Sequence, residues 1–177
     1  MKEDIVSLMK EFYLIEDVDL RNKTILIWED AIRKGGWKIQ DLHQMPFTLL
    51  FEKTSINILE HTRAVTLCSS KIGEVMKEIY NGKISINKDY LVSGALLHDV
   101  GKLFEYEKNE GKFVKSKEGE LIRHPISGAA FASKYGIPSE IIHIIAAHSK
   151  EGDGARKTIE AVIVNHADFV NFDGLKI

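Results

Sequence analysis

Apolar residues recur along most of the chain at spacings of three and four, which predicts helices. The longest such stretch begins near Ser55 and ends at Asn81-Gly82. We expect the apolar stripe of this helix to face inward, so that His61 points inward with Ile58 and Val65. The stripe comprises Ile58, His61, Val65, Cys68, Ile72, Met76 and Ile79. Alternating Val, Ile and Thr, the mark of strands, are almost missing. The pattern therefore predicts an all-α fold.

The same spacing predicts further helices on both sides of this stretch. They cover about 4–13, 17–36, 87–100, 125–135, 139–149 and 155–172. Pro46 argues against a continuous helix through 37–53, so that segment is expected to be a connector. Residues 104–122 are charged and contain glycine, which predicts a loop or a short hairpin between two helices.

Composition narrows the class of protein. The chain has 177 residues, is 44% hydrophobic and carries a net charge of -2, so one globular domain over 1–177 is expected. It has no basic tail or stripe, which argues against a nucleic acid polymer as partner. No apolar run is long enough to span a membrane. A single cysteine, Cys68, and an N-terminus unlike a signal peptide predict a cytoplasmic location.

Several histidines fall where the helical pattern predicts buried positions. His61 lies on the inward stripe, and His148 lies one turn after Ile144. Asp168 lies one turn after Val164 in the last helix. A single buried histidine is most often an ordinary core residue. Each position alone is therefore weak evidence for a metal site.

Two aspartates strengthen the case for a metal. Asp99 closes an apolar run and Asp168 faces inward, and a buried carboxylate is costly without a cation or a strong donor. Divalent metal ions satisfy buried imidazoles and carboxylates together. Because six ligands exceed what one ion normally takes from protein, one or two ions are expected. The candidate ligands are His61, His98, Asp99, His124, His148 and Asp168.

Five phrases around these residues resemble the HD superfamily of metal-dependent phosphohydrolases. The central phrase is "LLHDVGK", the HDxGK form of the doublet, and the others are "ILEHTRAV", "RHPISGAA", "AAHSKEG" and "VNHADFV". The resemblance covers an HD-domain core over about 55–171. It leaves 1–54 as an N-terminal helical extension, and it implies an HD-domain helical bundle.

The resemblance also implies a ligand arrangement. His61, His98, Asp99 and Asp168 are expected around one ion, and Asp99 is expected to bridge to a second ion held by His124 and His148. Iron or manganese is expected first, with zinc, cobalt, nickel or magnesium as alternatives. The chain departs from the HD-GYP group, because it has a single histidine at this point and no Gly-Tyr-Pro motif.

The expected catalytic residues are Asp99 and Lys102. Lys102 lies one turn after His98, so its ammonium is a candidate to bind a substrate phosphate; the alternative is a solvated lysine at a helix C-terminus. Lys150 and Arg156 are candidates for a phosphate-binding rim, and the alternative for both is ordinary loop charge.

Three functions remain open on the sequence. The first is hydrolysis of a nucleotide or other small phosphoester, in which a metal-activated water attacks phosphorus. The second is a mixed-valent di-iron oxygenase, because some HD-fold proteins with this same six-ligand set resemble such enzymes. The third is a non-catalytic module that binds a metal or nucleotide. The expected partner is a small phosphorylated substrate, and a homodimer is a further candidate.

Overall fold

The computed structural model describes residues 2–51 and 54–176, most of which are helical. The helices are α1 (Lys2–Leu8), α2 (Val18–Lys34), α3 (Ile39–Leu42), α4 (Ile58–Tyr80), α5 (Lys88–Leu97), α6 (Lys102–Glu105), α7 (Lys117–Leu121), α8 (His124–Ala132), α9 (Ser139–Ala147) and α10 (Ile159–Gly174). Short 3-10 turns cover Lys10–Leu14, Ser133–Tyr135 and Lys150–Gly152. The prediction of an all-α fold is confirmed.

A small hairpin follows α6, in the segment where the sequence predicts a loop or hairpin. Its strands are β1 (Tyr106–Asn109) and β2 (Lys112–Lys115), and they pair antiparallel with Tyr106 opposite Lys115. Gly111, at the turn, has a φ of 79°, a conformation that favours glycine. The short helices α3 and α7 are additions that the apolar spacing does not predict.

Polar side chains define where the main helices begin. Asn57 accepts a hydrogen bond from the Glu60 N–H, and Glu60 in turn accepts from the Asn57 N–H, so α4 begins with a complete capping box. The Asn87 side chain caps α5 by accepting from the Tyr90 N–H, and the Thr158 side chain caps α10 by accepting from the Ala161 N–H. These caps fix the starts of α4, α5 and α10, which position His61, the HD doublet and Asp168.

The predicted inward stripe of α4 is correct only for its first half. Ile58, His61 and Val65 are buried, but Cys68 is exposed and Ile79 is 69% exposed. A stripe with a period of 3.5 residues drifts by about 20° per heptad around a straight helix. Over the three heptads from Ile58 to Ile79, the drift carries the stripe out of the core.

Small residues form the buried face in the second half of α4. Ser69, Ser70 and Gly73 lie there, and a Cβ at Gly73 would come within 2.7 Å of Leu91 in α5. This close contact between α4 and α5 holds His61 near the end of α5, where the HD doublet begins.

The N-terminal extension packs into the same apolar core as the later helices. Trp28 of α2 is fully buried, and its indole N–H donates to the Leu96 carbonyl at 2.8 Å. The Trp37 indole donates to the Leu103 carbonyl at 2.8 Å. Trp28 and Trp37 thus contact the backbone on both sides of the HD doublet. Within the described residues, no helix is long and apolar enough to cross a membrane.

Candidate metal centre

The Asp99 carboxylate lies at the centre of the six candidate ligands. Its Oδ2 lies 3.5 Å from His61 Nε2 and 3.3 Å from His98 Nε2. Its Oδ1 lies 3.3 Å from His124 Nε2 and 3.6 Å from His148 Nε2. Each oxygen therefore faces its own pair of imidazole nitrogens.

These two groups define the two halves of the centre. The first half consists of His61, His98, Asp168 and the Oδ2 of Asp99. The second half consists of His124, His148 and the Oδ1 of Asp99. Asp168 Oδ1 lies 3.0 Å from His61 Nε2 and 3.9 Å from His98 Nε2. In each half, the Asp99 oxygen and the two imidazole nitrogens lie within 4.8 Å of one another, a spacing that can hold a metal ion.

Separate elements supply the six side chains. His61 lies in the first turn of α4, His98 and Asp99 directly follow α5, His124 begins α8, His148 ends α9, and Asp168 lies in α10. The structure thus brings together residues that are 107 positions apart in the chain, as His61 and Asp168 are.

Gly101 allows the second half to reach Asp99. A Cβ at Gly101 would lie 2.1 Å from the His124 carbonyl oxygen and 2.8 Å from the Gly128 nitrogen. No side chain fits into this space, so the start of α8 packs directly on the backbone after the HD doublet. The close packing of α8 therefore explains why the fourth position of the HDxGK phrase is glycine.

Hydrogen bonds fix the tautomers of three histidines. The Nδ1–H of His98 donates to the Ala95 carbonyl at 2.6 Å, and that of His148 donates to the Ile145 carbonyl at 2.7 Å. A carbonyl oxygen can only accept, so the proton lies on Nδ1. His124 Nδ1–H donates to the Glu105 carboxylate at 2.6 Å. In the neutral rings, all three Nε2 lone pairs then point toward Asp99, as in a metal ligand oriented by its other nitrogen.

This arrangement fits divalent metal ions. His124 Nε2 and His148 Nε2 lie 3.3 Å apart, and two lone pairs at that distance repel each other unless a cation lies beside them. His98 Nε2 is buried and has no hydrogen-bond partner among the described residues. Buried nitrogen and oxygen donors of this kind suit iron, manganese, zinc, cobalt or nickel.

Neighbouring charges keep both aspartates ionised. Burial alone would raise the pKa of Asp99, but the charge of Lys102 holds it well below its usual range. Burial likewise opposes ionisation of Asp168, and the hydrogen bond with His61 outweighs it and lowers the pKa of Asp168 to about 2. Both carboxylates are therefore negative at neutral pH and available to bind cations.

Lys102 is buried beside the first half. Its ammonium donates to Asp99 Oδ2 at 2.6 Å and to the Phe47 carbonyl at 2.5 Å. These two hydrogen bonds hold the Lys102 ammonium against the Asp99 carboxylate. The predicted contact of Lys102 with a substrate phosphate stays a prediction.

The two candidates for a phosphate-binding rim lie outside the six-residue cluster. Lys150 is exposed in a 3-10 turn. Arg156 donates to the Ser149 carbonyl at 2.7 Å and to Asp153 at 3.1 Å. Arg156 thus holds the loop that follows His148. A role for either side chain in binding substrate stays a prediction.

Two residues beside the ligands are absent from the sequence-based candidates. Glu105 is buried and accepts hydrogen bonds from both the backbone N–H and the Nδ1–H of His124, at 2.7 Å and 2.6 Å. Burial would raise the pKa of Glu105, but the bonds to His124 lower it. Phe47 packs its ring on His61, with centroids 4.6 Å apart. Both contacts depend on tertiary packing, which local spacing does not encode.

The fold and the cluster define an HD domain. The model of the HD domain family matches residues 58–171, and the chain belongs to that family. The prediction of an HD-superfamily protein is therefore confirmed.

The chain is similar to curated proteins of two kinds. A "Dihydroneopterin 2',3'-cyclic phosphate phosphodiesterase" of Methanocaldococcus jannaschii is 34% identical over 112 residues, which are 63% of this chain and 44% of the relative. A "Ribonuclease Y" of Nitratidesulfovibrio vulgaris is 35% identical over 118 residues, 66% of this chain and 18% of the relative. Another of Thermobifida fusca is 28% identical over 92% of this chain and 29% of the relative.

The matched region spans less than half the length of each of these relatives. The comparison with solved structures gave no significant match.

Proposed function

We propose that this chain is a metal-dependent phosphohydrolase that cleaves a phosphodiester in a nucleotide or a related small molecule. The observation that carries the proposal is the position of Asp99, whose two oxygens face separate pairs of imidazole nitrogens at 3.3–3.6 Å. Divalent ions held there by the imidazoles and by Asp99 would lower the pKa of a water molecule and stabilise negative charge on phosphoryl oxygens.

The protein's own residues orient the ligands. The carbonyls of Ala95 and Ile145 and the carboxylate of Glu105 hold three imidazoles with Nε2 toward the centre. Lys102 balances the charge of Asp99. Since these partners are buried, the centre is rigid before substrate arrives, and rigid preorganised charges are effective in catalysis.

The relatives support the phosphodiester as the bond that is cleaved. One is named a cyclic phosphate phosphodiesterase and the others are named ribonucleases, and both activities break phosphodiester bonds. We propose a small substrate for this chain rather than a polymer, because its net charge is -2 and no basic stripe tracks a phosphate backbone.

We further propose iron or manganese as the metal and the cytoplasm as the location. Four imidazoles with two carboxylates supply mixed nitrogen and oxygen ligands, which both metals accept. The one cysteine, Cys68, is free and exposed, as suits a reducing compartment. The homodimer stays a prediction.

Reconstitution tests this function directly. Metal-free protein is loaded with Mn²⁺ or Fe²⁺, the ions per chain are counted by mass spectrometry, and hydrolysis is followed by ³¹P NMR. The substrates are 2',3'-cyclic and 3',5'-cyclic nucleotides, a dinucleotide, nucleoside monophosphates and dinucleoside polyphosphates.

We expect two ions per chain and hydrolysis of at least one phosphodiester. Full occupancy with no hydrolysis of any substrate would overturn the proposal. Oxygen uptake with a polyol or phosphonate, together with an EPR signal from a mixed-valent iron pair, would favour the oxygenase instead.

A further inference from the structure

Solvent reaches the candidate metal centre on the side of Asp168. Its side chain is 15% exposed, whereas those of His61, His98, Asp99 and His148 are at most 1% exposed. His124 lies between these values at 7%. A substrate that places phosphorus at the centre therefore extends outward past Asp168.

Two half-buried phenylalanine rings lie beside this opening. Phe172 lies one turn after Asp168 on the same side of α10. Phe51, which lies in the connector, packs against Phe172 with centroids 5.0 Å apart and an interplanar angle of 32°. We call Phe51 and Phe172 the aromatic wall.

Phe47 joins the aromatic wall to the metal centre. Its fully buried ring lies 5.6 Å from Phe51 and 6.0 Å from Phe172, and it packs on His61 at 4.6 Å. Because the Phe47 ring contacts both His61 and the aromatic wall, the wall lies next to the first half of the centre.

We infer that the aromatic wall is a substrate subsite for a planar heteroaromatic ring attached to the phosphodiester. The inference rests on the proposed function and names its substrate class. Aromatic side chains stack on bases of any sequence because every base has a π-face. The wall begins one helical turn from Asp168, a distance of about 5.4 Å along the helix, which a sugar can bridge between ring and phosphorus.

A cation and its acidic partner lie beside the wall. Lys176 places its ammonium 4.5 Å from the centre of the Phe172 ring, and its side chain is 50% exposed. Asp173 accepts a hydrogen bond from the same ammonium at 2.8 Å. An aromatic ring beside a cation is also a feature of proteins that bind single-stranded nucleic acids.

The test compares two substrates on the metal-loaded protein. One is a nucleoside 2',3'-cyclic monophosphate, and the other is glycerol 1,2-cyclic phosphate, which has no ring system to stack. Phe172→Leu keeps an apolar side chain but removes the π-face. We expect KM for the nucleotide to rise about tenfold, with kcat changed less than about twofold, and KM for the glycerol ester to stay constant.

Phe169→Leu is the matched control. Phe169 is also half-buried in α10, but it points about 100° away from Asp168 around the helix. Among the described residues, the ring contacts of Phe172 are with Phe47 and Phe51 and do not include Phe169, so both KM values should stay unchanged. Equal changes for both substrates in Phe172→Leu, or no change for either, would overturn the inference while leaving the hydrolase intact.

Binding decides the inference if no substrate is hydrolysed. The affinity of wild-type protein and Phe172→Leu for a nucleoside 2'-monophosphate is then measured by calorimetry against glycerol phosphate. A loss of about tenfold for the nucleotide alone supports the aromatic wall even though the proposed hydrolysis has failed. Equal affinities rule it out.

Discussion

The two halves of the metal centre use the same carboxylate but are supported differently. In the first half, Lys102 donates to Asp99 Oδ2 and the ligand Asp168 is partly exposed beside phenylalanine rings. In the second half, both imidazoles are buried, and Glu105 fixes His124. The first half thus combines a buried counter-charge with an opening to solvent, and the second is a closed, preoriented pair. Substrate access and rigid support are divided between them.

Removing the shared Asp99 carboxylate should weaken metal binding in both halves and abolish most of the hydrolysis. Asp99→Asn deprives both halves of their common anion, so we expect hydrolysis to fall by about 10³-fold or more and bound metal to fall below one ion per chain. Metal counting and the ³¹P assay measure both effects. Asp19→Asn is the control, because Asp19 is an exposed acid in the first turn of α2 and pairs with Lys23, away from the centre. A variant at Asp99 that still held two ions would refute the bridging role.

Removing the counter-charge should affect the first half. Lys102→Met leaves the buried Asp99 without its ammonium partner, and breaking a buried ion pair costs about 3–5 kcal/mol. We expect a loss of that size in the free energy of unfolding of the metal-free protein, measured by urea titration, and a smaller loss once metal is bound. Lys88→Met, which breaks an exposed pair with Glu16, should cost less than about 1 kcal/mol.

Lys102→Met also separates two roles of this lysine. If stability is unchanged and KM for the phosphodiester rises, the ammonium contacts the substrate phosphate and the structural role is wrong. If stability falls as expected and KM at saturating metal is constant, the charge serves Asp99 alone.

Removing the carboxylate behind His124 should weaken only the second half. Glu105→Gln keeps the size of the side chain but removes the negative charge that accepts from His124. Such partners are worth about 10–100-fold in metal affinity, so we expect the weaker of two Mn²⁺ binding steps to shift by that factor in calorimetry.

The control for this variant is Glu11→Gln. Glu11 is also a buried carboxylate, but its partner is Arg63 and it does not touch the six ligands. An equal loss in both binding steps of Glu105→Gln would show that the two halves are not supported independently.

Much of the fold and the list of candidate ligands follow from local patterns. The apolar spacing predicts most helices, and polar residues at helix starts, such as Asn57 and Asn87, set their bounds. The burial of His61 and His148 follows from their place on apolar faces. For these features, local sequence and tertiary structure agree, as is typical of natural chains.

Other features depend on contacts that local patterns do not contain. The face that the second half of α4 buries is set by the contact of Gly73 with Leu91 of α5, whereas Ile79 of the apolar stripe is exposed. The contact of Glu105 with His124 joins residues 19 positions apart across the hairpin. The ring of Phe47 reaches His61 from a segment with no clear period.

The intrinsic fluorescence of the two tryptophans can report on the backbone around the HD doublet. The chain has only these two, and their indole N–H groups bond to the carbonyls of Leu96 and Leu103, which flank the HD doublet. Indole emission responds to the strength of such hydrogen bonds. Any strain that metal or substrate places on this backbone segment should therefore change the intrinsic fluorescence, without a label.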